Sequence, residues 1–322
     1  MGFLRGIYTF DYMGHKKWWF ALSGTVLAIG LISLFVRGGG NPVQGLQYGL
    51  EFKSGTRITV AFEQPAELAE VRAAVAEAGY PNAQIQQVSQ VAGTDLPGFL
   101  IAVQELQPGA QAALRDQLDG AYGIAVVDGS ELWSQQTVGP TFGRLVVEKS
   151  LEAAVVALLL IMAYIWLRFS SWKFAAGAIA AEVHDVLIVI GVYSLTGREV
   201  TTATIAAVLT IIGYSLYDTV IIYDRIRENT PKLSRMPYGE MVNHSLWQSI
   251  TRSINTTLTT LLPVLALLFF GGTTLTDFAF ALLVGIIAGA YSSIFVAAPI
   301  VTVFKEREPQ YRRLAARAAE EG

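Results

Sequence analysis

The stretch "TIIGYSLYDTVIIYDRIREN", Thr210–Asn229, places a carboxylate inside an apolar run. Its first half has the composition of a membrane-spanning helix, yet Asp218 lies within it. An aspartate at the centre of a bilayer costs roughly 2.5–3.5 kcal/mol on insertion scales, and such residues usually face a bundle interior and mark a path for ions or protons. The stretch therefore predicts a membrane protein in which Asp218 has a function.

The composition of the whole chain is that of a membrane protein. Of its 322 residues, 52% are hydrophobic and 15% are charged, whereas soluble domains carry roughly 25% charged residues. Cysteine is absent from the sequence, which excludes disulfides, thiolate nucleophiles and cysteine metal ligands. The sequence also has no nucleotide-binding loop, and we expect no cofactor, no metal ion and no nucleic-acid partner.

Six apolar runs are long enough to cross a bilayer, which needs about 20 residues of helix. The first, residues 18–36, is predicted to be a retained anchor, because the core of a signal peptide has only about 7–15 residues. The other five predict a bundle within residues 146–304. They cover, approximately, residues 147–167, 174–195, 200–223, 253–272 and 278–304.

Lysine and arginine predict the orientation of these spans, because cytoplasmic loops carry an excess of both. They are concentrated before the first span, after the fourth and after the sixth. We therefore predict that both terminal segments, residues 1–17 and 305–322, are cytoplasmic. Residues 37–145 would then lie on the opposite side of the membrane. The segment from Gly40 to Pro140 has 11 acidic and 4 basic side chains, and this acidity agrees with an extracytoplasmic location.

Residues 37–145 predict an α+β domain. Predicted strands cover Phe52–Phe62, Gln84–Val91, Gly98–Leu106 and Ile124–Trp133, with a turn containing Gly93 between the middle two, and predicted helices cover Ala66–Ala78 and Ala110–Tyr122. The order βαββαβ is that of a ferredoxin-like domain. The domain has no histidine, cysteine or serine–histidine pairing, so its expected role is contact with another molecule rather than catalysis.

Arg252, at the start of the fifth span, is the predicted partner of Asp218. A carboxylate whose cationic partner moves between two distances can take up and release a proton. Asn255, Thr256 and Thr259 follow Arg252 at helical spacing and form a polar stripe, which suits a hydrated path or hydrogen bonds between helices. The alternative for Arg252 is a side chain that extends to the membrane surface.

The third span adds a second group of ionisable residues, Glu182, His184 and Asp185. A histidine beside carboxylates can relay protons, and Asp185 carries the same insertion cost as any aspartate in a membrane. The alternative for His184 is a packing residue, and Glu182 is interpreted as a contact between helices or as the lining of a cavity. Gly285 and Gly289 in the sixth span predict close helix packing.

Several of these stretches resemble SecF, a membrane subunit of the bacterial Sec protein-export machinery in the SecD/SecF family. The similar stretches are "GLEFKSGT" (49–56), "VGPTFGRLV" (138–146), "VHDVLI", "RSINTTLTT", "GIIAGAYSSIFVAAPI" (285–300) and the run around Asp218. Glu51 and Ser54 stand where the family has Asp and Gly. The resemblance extends from about residue 10 to residue 305.

The resemblance implies a fold and a function. The family has the fold of the resistance–nodulation–division transporters, and SecF and SecD each contribute six spans to a heterodimer in the bacterial inner membrane. The pair assists the Sec channel and its accessory membrane subunits, acts on unfolded preprotein on the extracytoplasmic side, and uses protons as the coupling ion. The proton-linked Asp and Arg of the family fall on Asp218 and Arg252, and the family's members are not enzymes.

Two other functions stay open. The first is half of a small-molecule efflux transporter of the same superfamily, although such transporters usually carry larger extracytoplasmic regions. The second is an intramembrane aspartyl protease that uses Asp185 and Asp218, although the Gly-x-Gly-Asp segment of that class is absent from the sequence.

Overall fold

The computed structural model of the chain describes residues 9–88, 91, 94, 96–103 and 108–321. The described residues form two compact units. The bundle unit contains the residues up to Gln47 and those from Glu152 onward, and the α+β unit contains residues 48–151. The predicted turn at Gly93, the end of the strand predicted to reach Leu106 and the first eight residues of the predicted cytoplasmic segment lie outside the described residues.

The helices and strands of the described residues are numbered in chain order. The helices are α1 (Lys16–Arg37), α2 (Leu50–Lys53), α3 (Leu68–Glu77), α4 (Pro108–Tyr122), α5 (Pro140–Phe169), α6 (Trp172–Thr196), α7 (Thr202–Lys232), α8 (Tyr238–Phe270), α9 (Gly272–Ser292), α10 (Ala298–Glu306) and α11 (Pro309–Glu321). A π-helical turn, Ser293–Ala297, joins α9 to α10, and a 3-10 turn covers Pro42–Gly45. The strands are β1 (Gln47–Tyr48), β2 (Gly55–Val60), β3 (Gln84–Val88), β4 (Gly98–Val103), β5 (Val126–Val127), β6 (Ser130–Glu131), β7 (Trp133–Val138) and β8 (Glu199–Val200).

Six segments of the described chain have the length and the apolar composition to cross a membrane. They are α1, α5, α6, α7, α8 and the combination of α9 with α10, and they are 22 to 33 residues long. About 20 helical residues cover the hydrocarbon core of a bilayer, so every one is long enough. The predicted fold class, six membrane helices with an α+β region between the first and the second, is confirmed.

Helix α8 begins at Tyr238, well before the predicted fifth span at residues 253–272. The added part is amphipathic, because Tyr238, Met241 and Leu246 are buried at helical spacing while the opposite side is polar. Its mean hydropathy is therefore too low to reveal a helix by apolar run length alone. Helix α7 likewise continues to Lys232, beyond the predicted end of the fourth span at residue 223.

The core of the bundle unit is one apolar cluster around Tyr223. The rings of Phe169 and Phe174 pack edge-on against the Tyr223 ring, with centroid distances of 5.7 and 4.9 Å. Helix α5 contributes little to this cluster: from Glu152 to its end, Ile165 and Phe169 are its only buried residues. Most of its apolar surface is therefore free to face lipid or another membrane helix.

The α+β unit has a four-stranded antiparallel sheet with the order β3-β4-β2-β7. Along the chain, β2, α3, β3, β4, α4 and β7 follow the order βαββαβ of a ferredoxin-like domain. The two helices and the sheet share one core, which includes Ile58, Val71, Ile101 and Leu118.

The position predicted for the last strand of this sheet, Ile124–Trp133, was wrong. Asp128 and Gly129 both have positive φ angles, 53° and 76°, and an Asp-Gly pair of this kind forms a tight hairpin turn. The predicted strand is therefore divided into the hairpin β5–β6, and β7 (Trp133–Val138) pairs with β2 instead. Four consecutive exposed residues in β7 hide the alternation that marks a strand.

The first strand of the sheet begins later than the predicted Phe52, because the chain turns at Ser54 and Gly55. Residues 50–53 form α2, and Ser54 has a φ of 60°, a conformation that favours glycine. Gly55 has a φ of 138°, and a Cβ there would lie 2.4 Å from the carbonyl oxygen of Val103. Only glycine fits this close approach of β2 to β4.

An ion-pair cluster joins α6 and α10 to the short segment between α10 and α11. Glu308 Oε1 lies 2.6 Å from Lys173 Nζ and 3.0 Å from Lys305 Nζ. Burial raises the pKa of Glu308, but hydrogen bonds and charges from Lys173 and Lys305 outweigh burial and hold that pKa below its usual value. The folded chain therefore favours the ionised carboxylate.

We expect Glu308→Gln to lower the free energy of unfolding by about 1 kcal/mol at neutral pH, because hydrogen bonds to a charged group are lost. Since the folded pKa lies below the unfolded one, the stabilisation is present at neutral pH and is lost as the pH falls through the acid range. Thermal unfolding in detergent at neutral and acid pH measures both effects. Glu320→Gln, an exposed carboxylate on α11, is the control, and a difference that persists unchanged at acid pH would contradict the assignment.

Candidate functional site

Buried polar side chains are concentrated at the middle of α6, α7 and α8 and at the junction of α9 with the π-helical turn, inside an otherwise apolar bundle. The residues of this group that are less than a tenth exposed are Glu182, His184, Asp185, Ser215, Asp218, Thr219, Ser253, Ser292 and Ser293. Polar groups buried in a membrane bundle are costly unless they are paired or take part in function. The two aspartates differ in how well they are paired.

Asp185 is the centre of a closed hydrogen-bonding cluster with His184, Ser215 and Ser292, which we call the Asp185 cluster. Its Oδ2 atom accepts hydrogen bonds from Ser215 Oγ at 2.7 Å and Ser292 Oγ at 2.8 Å. Its Oδ1 atom lies 3.0 Å from His184 Nδ1. Because the serines belong to α7 and α9, the carboxylate of α6 links three membrane helices.

Gly285 and Gly289 allow α9 to approach α7 at the level of this cluster. A Cβ on Gly285 would lie 2.2 Å from Ile211 Cδ1, and a Cβ on Gly289 would lie 2.8 Å from Ser215 Cβ. Larger residues would separate α9 from α7 and move Ser292 away from Asp185. The π-helical turn Ser293–Ala297 follows directly, and such turns are frequent at functional sites.

Asp218 lies one helical turn beyond Ser215 on α7 and is 2% exposed, yet its hydrogen bonding is incomplete. Thr256 Oγ1 is 3.5 Å from Asp218 Oδ1, which is the outer limit of a hydrogen bond. Asp218 Oδ2 has no hydrogen-bond partner among the described residues. This carboxyl can therefore accept a proton on Oδ2 without breaking a hydrogen bond, whereas Asp185 has both oxygens engaged.

Arg252 does not pair with Asp218 in the structure. Its Nη2 donates a hydrogen bond of 2.8 Å to the hydroxyl of Tyr217, and its guanidinium carbon lies 5.9 Å from the centre of that ring. Within the described part of the chain, Arg252 forms no ion pair with Asp218 at 4.0 Å or less. The guanidinium of Arg252 is thus held on Tyr217, the residue that precedes Asp218, and Arg252 is exposed whereas Asp218 is buried.

Of the predicted polar stripe on α8, the structure turns Thr256 toward Asp218. Asn255 and Thr259 are exposed, and the Thr259 hydroxyl donates to the backbone carbonyl of Asn255 at 2.9 Å. His184, besides its contact with Asp185, stacks on Tyr291 with the rings 5.9 Å apart. Its Nε2 atom lacks a hydrogen-bond partner among the described residues.

Sequence reasoning missed Tyr217 as the partner of Arg252, and it missed Ser215 and Ser292 as the partners of Asp185. Spacing carries only a weak signal for Ser215: it precedes Asp218 by three residues and so lies on the same face of α7, which indicates a polar interior face but not the contact with Asp185. No comparable signal marks Ser292, since its contact with Asp185 depends on how α9 packs.

Comparison with known proteins gives two family matches. Residues 124–307 match the family described as "Protein export membrane protein SecD/SecF, C-terminal". Residues 42–66, which include the turn at Ser54 and Gly55, match the "SecD/SecF GG Motif". Together the matches extend over the membrane helices from α5 to α10 and over the start of the α+β unit.

Individual relatives agree with the family matches. The SecF subunit of Desulfurispirillum indicum is 36% identical over 318 residues, covering 95% of this chain and 96% of that protein. The SecF subunit of Magnetococcus marinus is 38% identical over 316 residues, covering 97% of this chain and 96% of that protein.

The fused SecDF protein of Thermus thermophilus is 39% identical over 300 residues, and the chain spans 39% of its length. The crystal structure of SecDF from Thermus has a TM-score of 0.79 and 38% identity, over 92% of this chain and 39% of that chain. These relatives are translocase subunits, and the chain is a transport protein rather than an enzyme. Similarity over nearly the full length of the separate subunits shows that this chain belongs to the SecD/SecF family, as a SecF subunit of the protein translocase.

Proposed function

We propose that this SecF subunit uses the proton-motive force to complete the movement of preproteins across the bacterial inner membrane. The observation that carries the proposal is the Asp218 carboxyl, which is buried in the bundle with one oxygen unpaired among the described residues. Such a group binds and releases protons, and the cation that responds to its charge, Arg252, is held one residue away on Tyr217.

The contact between Arg252 and Tyr217 suggests how the charge of Asp218 moves the helices. When Asp218 is ionised, it attracts the Arg252 guanidinium, and the attraction is strong because the interior of the bundle has a low dielectric constant. When Asp218 is protonated, that attraction is lost, and Arg252 returns to the hydroxyl and ring of Tyr217. Each cycle therefore shifts α8 relative to α7.

The energy of one proton is of the right size for such a shift. One elementary charge that crosses 100 mV releases about 2.3 kcal/mol. The two conformations of a protein often differ in free energy by a few kcal/mol. The movement of one or a few protons can therefore make the minor conformation the major one. Protons are the only coupling ion that the proposal requires.

The partners of this subunit follow from its relatives. The fused SecDF proteins hold two parts in one chain, and this chain corresponds to 39% of the Thermus protein. We propose that a separate SecD subunit supplies the remaining spans, including carboxylates that complete the proton path, and that the pair works beside the Sec channel and its accessory membrane subunits. Both termini are then cytoplasmic, and the α+β unit contacts the unfolded preprotein on the extracytoplasmic side.

Translocation assays with a controlled proton gradient test this proposal. Inner-membrane vesicles that lack SecD and SecF are supplied with SecD and this chain, and protection of a preprotein from protease is measured with the gradient intact or dissipated by a protonophore. We expect the chain to raise the protected fraction only when the gradient is intact. An increase that persists with the protonophore would exclude proton coupling.

Co-purification tests the efflux alternative in the same vesicles. Recovery of the Sec channel with this chain supports export, whereas recovery of an outer-membrane duct supports a half-unit of an efflux transporter. The protease alternative is excluded, since the chain belongs to a family of transport proteins rather than enzymes.

A further inference from the structure

Glu182 is a carboxyl for which the proposed mechanism so far has no use. It lies on α6, one turn before Asp185, and is 0% exposed. Among the described residues, neither of its carboxylate oxygens has a hydrogen-bond partner. It is therefore less well paired than Asp218, although it is buried more completely.

The surroundings of Glu182 disfavour an ionised side chain. On its own helix the nearby titratable groups are His184 and Asp185, and Asp185 would repel a second negative charge. From α7 the buried Tyr223 interacts with it electrostatically, and the Tyr223 hydroxyl is directed to the carbonyl oxygen of Ala297 at 3.4 Å. Within the described residues no lysine or arginine pairs with Glu182, so an anion there would be buried without compensation.

The depth of Glu182 follows from the Asp185–Ser215 hydrogen bond. Helices α6 and α7 are consecutive and joined by the short segment from Gly197 to Thr201, so they run antiparallel. Residues 185 and 215 lie at one level, because their side chains are 2.7 Å apart. Three residues back on α6 and three forward on α7 both move about 4.5 Å in the same direction, which places Glu182 level with Asp218.

We propose that Glu182 is a second proton-binding site of the bundle, which holds its proton in the resting structure and exchanges it during each cycle. The proposal rests on the proposed proton-coupled function and adds a carrier at the depth of Asp218, one turn away from the Asp185 cluster. A purely structural role does not account for the residue. Methionine or leucine would fill the space without burying two oxygens that lack partners.

Infrared spectroscopy of the full-length chain in lipid nanodiscs tests the resting state. We expect a carbonyl band of a protonated carboxylic acid that is absent in Glu182→Gln and retained in Asp218→Asn. Glu228→Gln is the control, because Glu228 is exposed and pairs with Arg225 at 3.0 Å and with Lys232 at 2.7 Å. A band that is unchanged in Glu182→Gln would show that Glu182 is ionised at rest, which overturns the proposal.

Export assays with SecD and the Sec channel test the exchange of the proton. We expect Glu182→Gln to reduce gradient-dependent export roughly tenfold, a common size for coupled equilibria, and Glu182→Asp to restore most of it. Glu182→Met, which buries no polar atom, separates loss of the proton from misfolding, since it is expected to be folded and equally inactive. Normal export by a folded Glu182→Gln would show that the proton never leaves and would overturn the exchange.

The same assays separate this proposal from the proposed function. If Asp218→Asn exports normally, proton coupling through Asp218 fails, whatever the infrared band of Glu182 shows. If Asp218→Asn blocks export and Glu182→Gln does not, the role of Glu182 fails while the function of the subunit stands.

Discussion

Asp218→Asn is expected to abolish gradient-dependent export while the chain still assembles with SecD. Asparagine has the shape of aspartate but cannot bind and release a proton at neutral pH. A charge crossing 100 mV releases about 2.3 kcal/mol, which corresponds to roughly 50-fold in an equilibrium constant. We therefore expect the gradient-dependent part of export to fall by at least an order of magnitude, as measured by protease protection of a preprotein in vesicles.

Asp224→Asn is the matched control for this prediction. Asp224 lies later on the same helix, is about 40% exposed, and pairs with Arg168 at 2.8 Å. Exposed pairs contribute about 0–1 kcal/mol to stability, so export by this variant should be close to that of the unmodified chain. A full response to the gradient in Asp218→Asn would remove this residue from the mechanism, and equal losses in both variants would point to a general defect of α7.

Gly191→Leu is expected to separate α1 from α6. The two helices touch through backbone at Gly30 and Gly191, where a Cβ added to Gly30 would lie 2.8 Å from Gly191 Cα. Backbone atoms cannot move aside as side chains do, and small residues at such contacts allow membrane helices to approach closely. We expect the free energy of unfolding to fall by about 3 kcal/mol, the upper part of the range for overpacking.

A cross-link measures this separation directly, because the chain has no cysteine of its own. Ser33 and Ser194 lie on the same α1–α6 contact with their hydroxyl oxygens 2.9 Å apart. With both serines changed to cysteine, an oxidant should form a disulfide in the parent chain and fail to do so with Gly191→Leu. Gly24→Leu is the control on α1, since a Cβ there meets nothing within 4 Å, and equal cross-linking in both variants would refute close packing at Gly191.

The membrane helices could be predicted from sequence to the extent that they are uniformly apolar. The start of α8 could not, because from Tyr238 to Ser253 only one face is buried and the mean hydropathy is low. The edge strand β7 was missed for a related reason: an edge strand with an exposed face need not alternate. The turn at Asp128 and Gly129 does have a clear local signal in the sequence, because the Asp-Gly pair itself indicates a tight hairpin turn at this position.

The candidate site likewise has residues that could be predicted from the sequence and residues that could not. Asp185 and Asp218 stand out in the sequence because an acidic residue in an apolar run is rare and costly. The partners of these carboxylates do not stand out, since serine and tyrosine are ordinary residues in membrane helices. Whether Arg252 contacts Asp218 or Tyr217 depends on the side-chain rotamer of Arg252 and on the distance between α7 and α8. The spacing of residues along the chain predicts neither of these.

The π-helical turn at Ser293–Ala297 changes the directions in which the side chains of the last membrane helix point. A turn of this type holds one residue more than the α-helical pitch allows, and each residue advances the helix by about 100°. Every side chain of α10 is consequently rotated by that angle relative to an uninterrupted rod. That phase shift directs Val301 and Thr302 inward, where both are fully buried, so a single extra residue sets which side chains of α10 pack into the interior of the bundle unit.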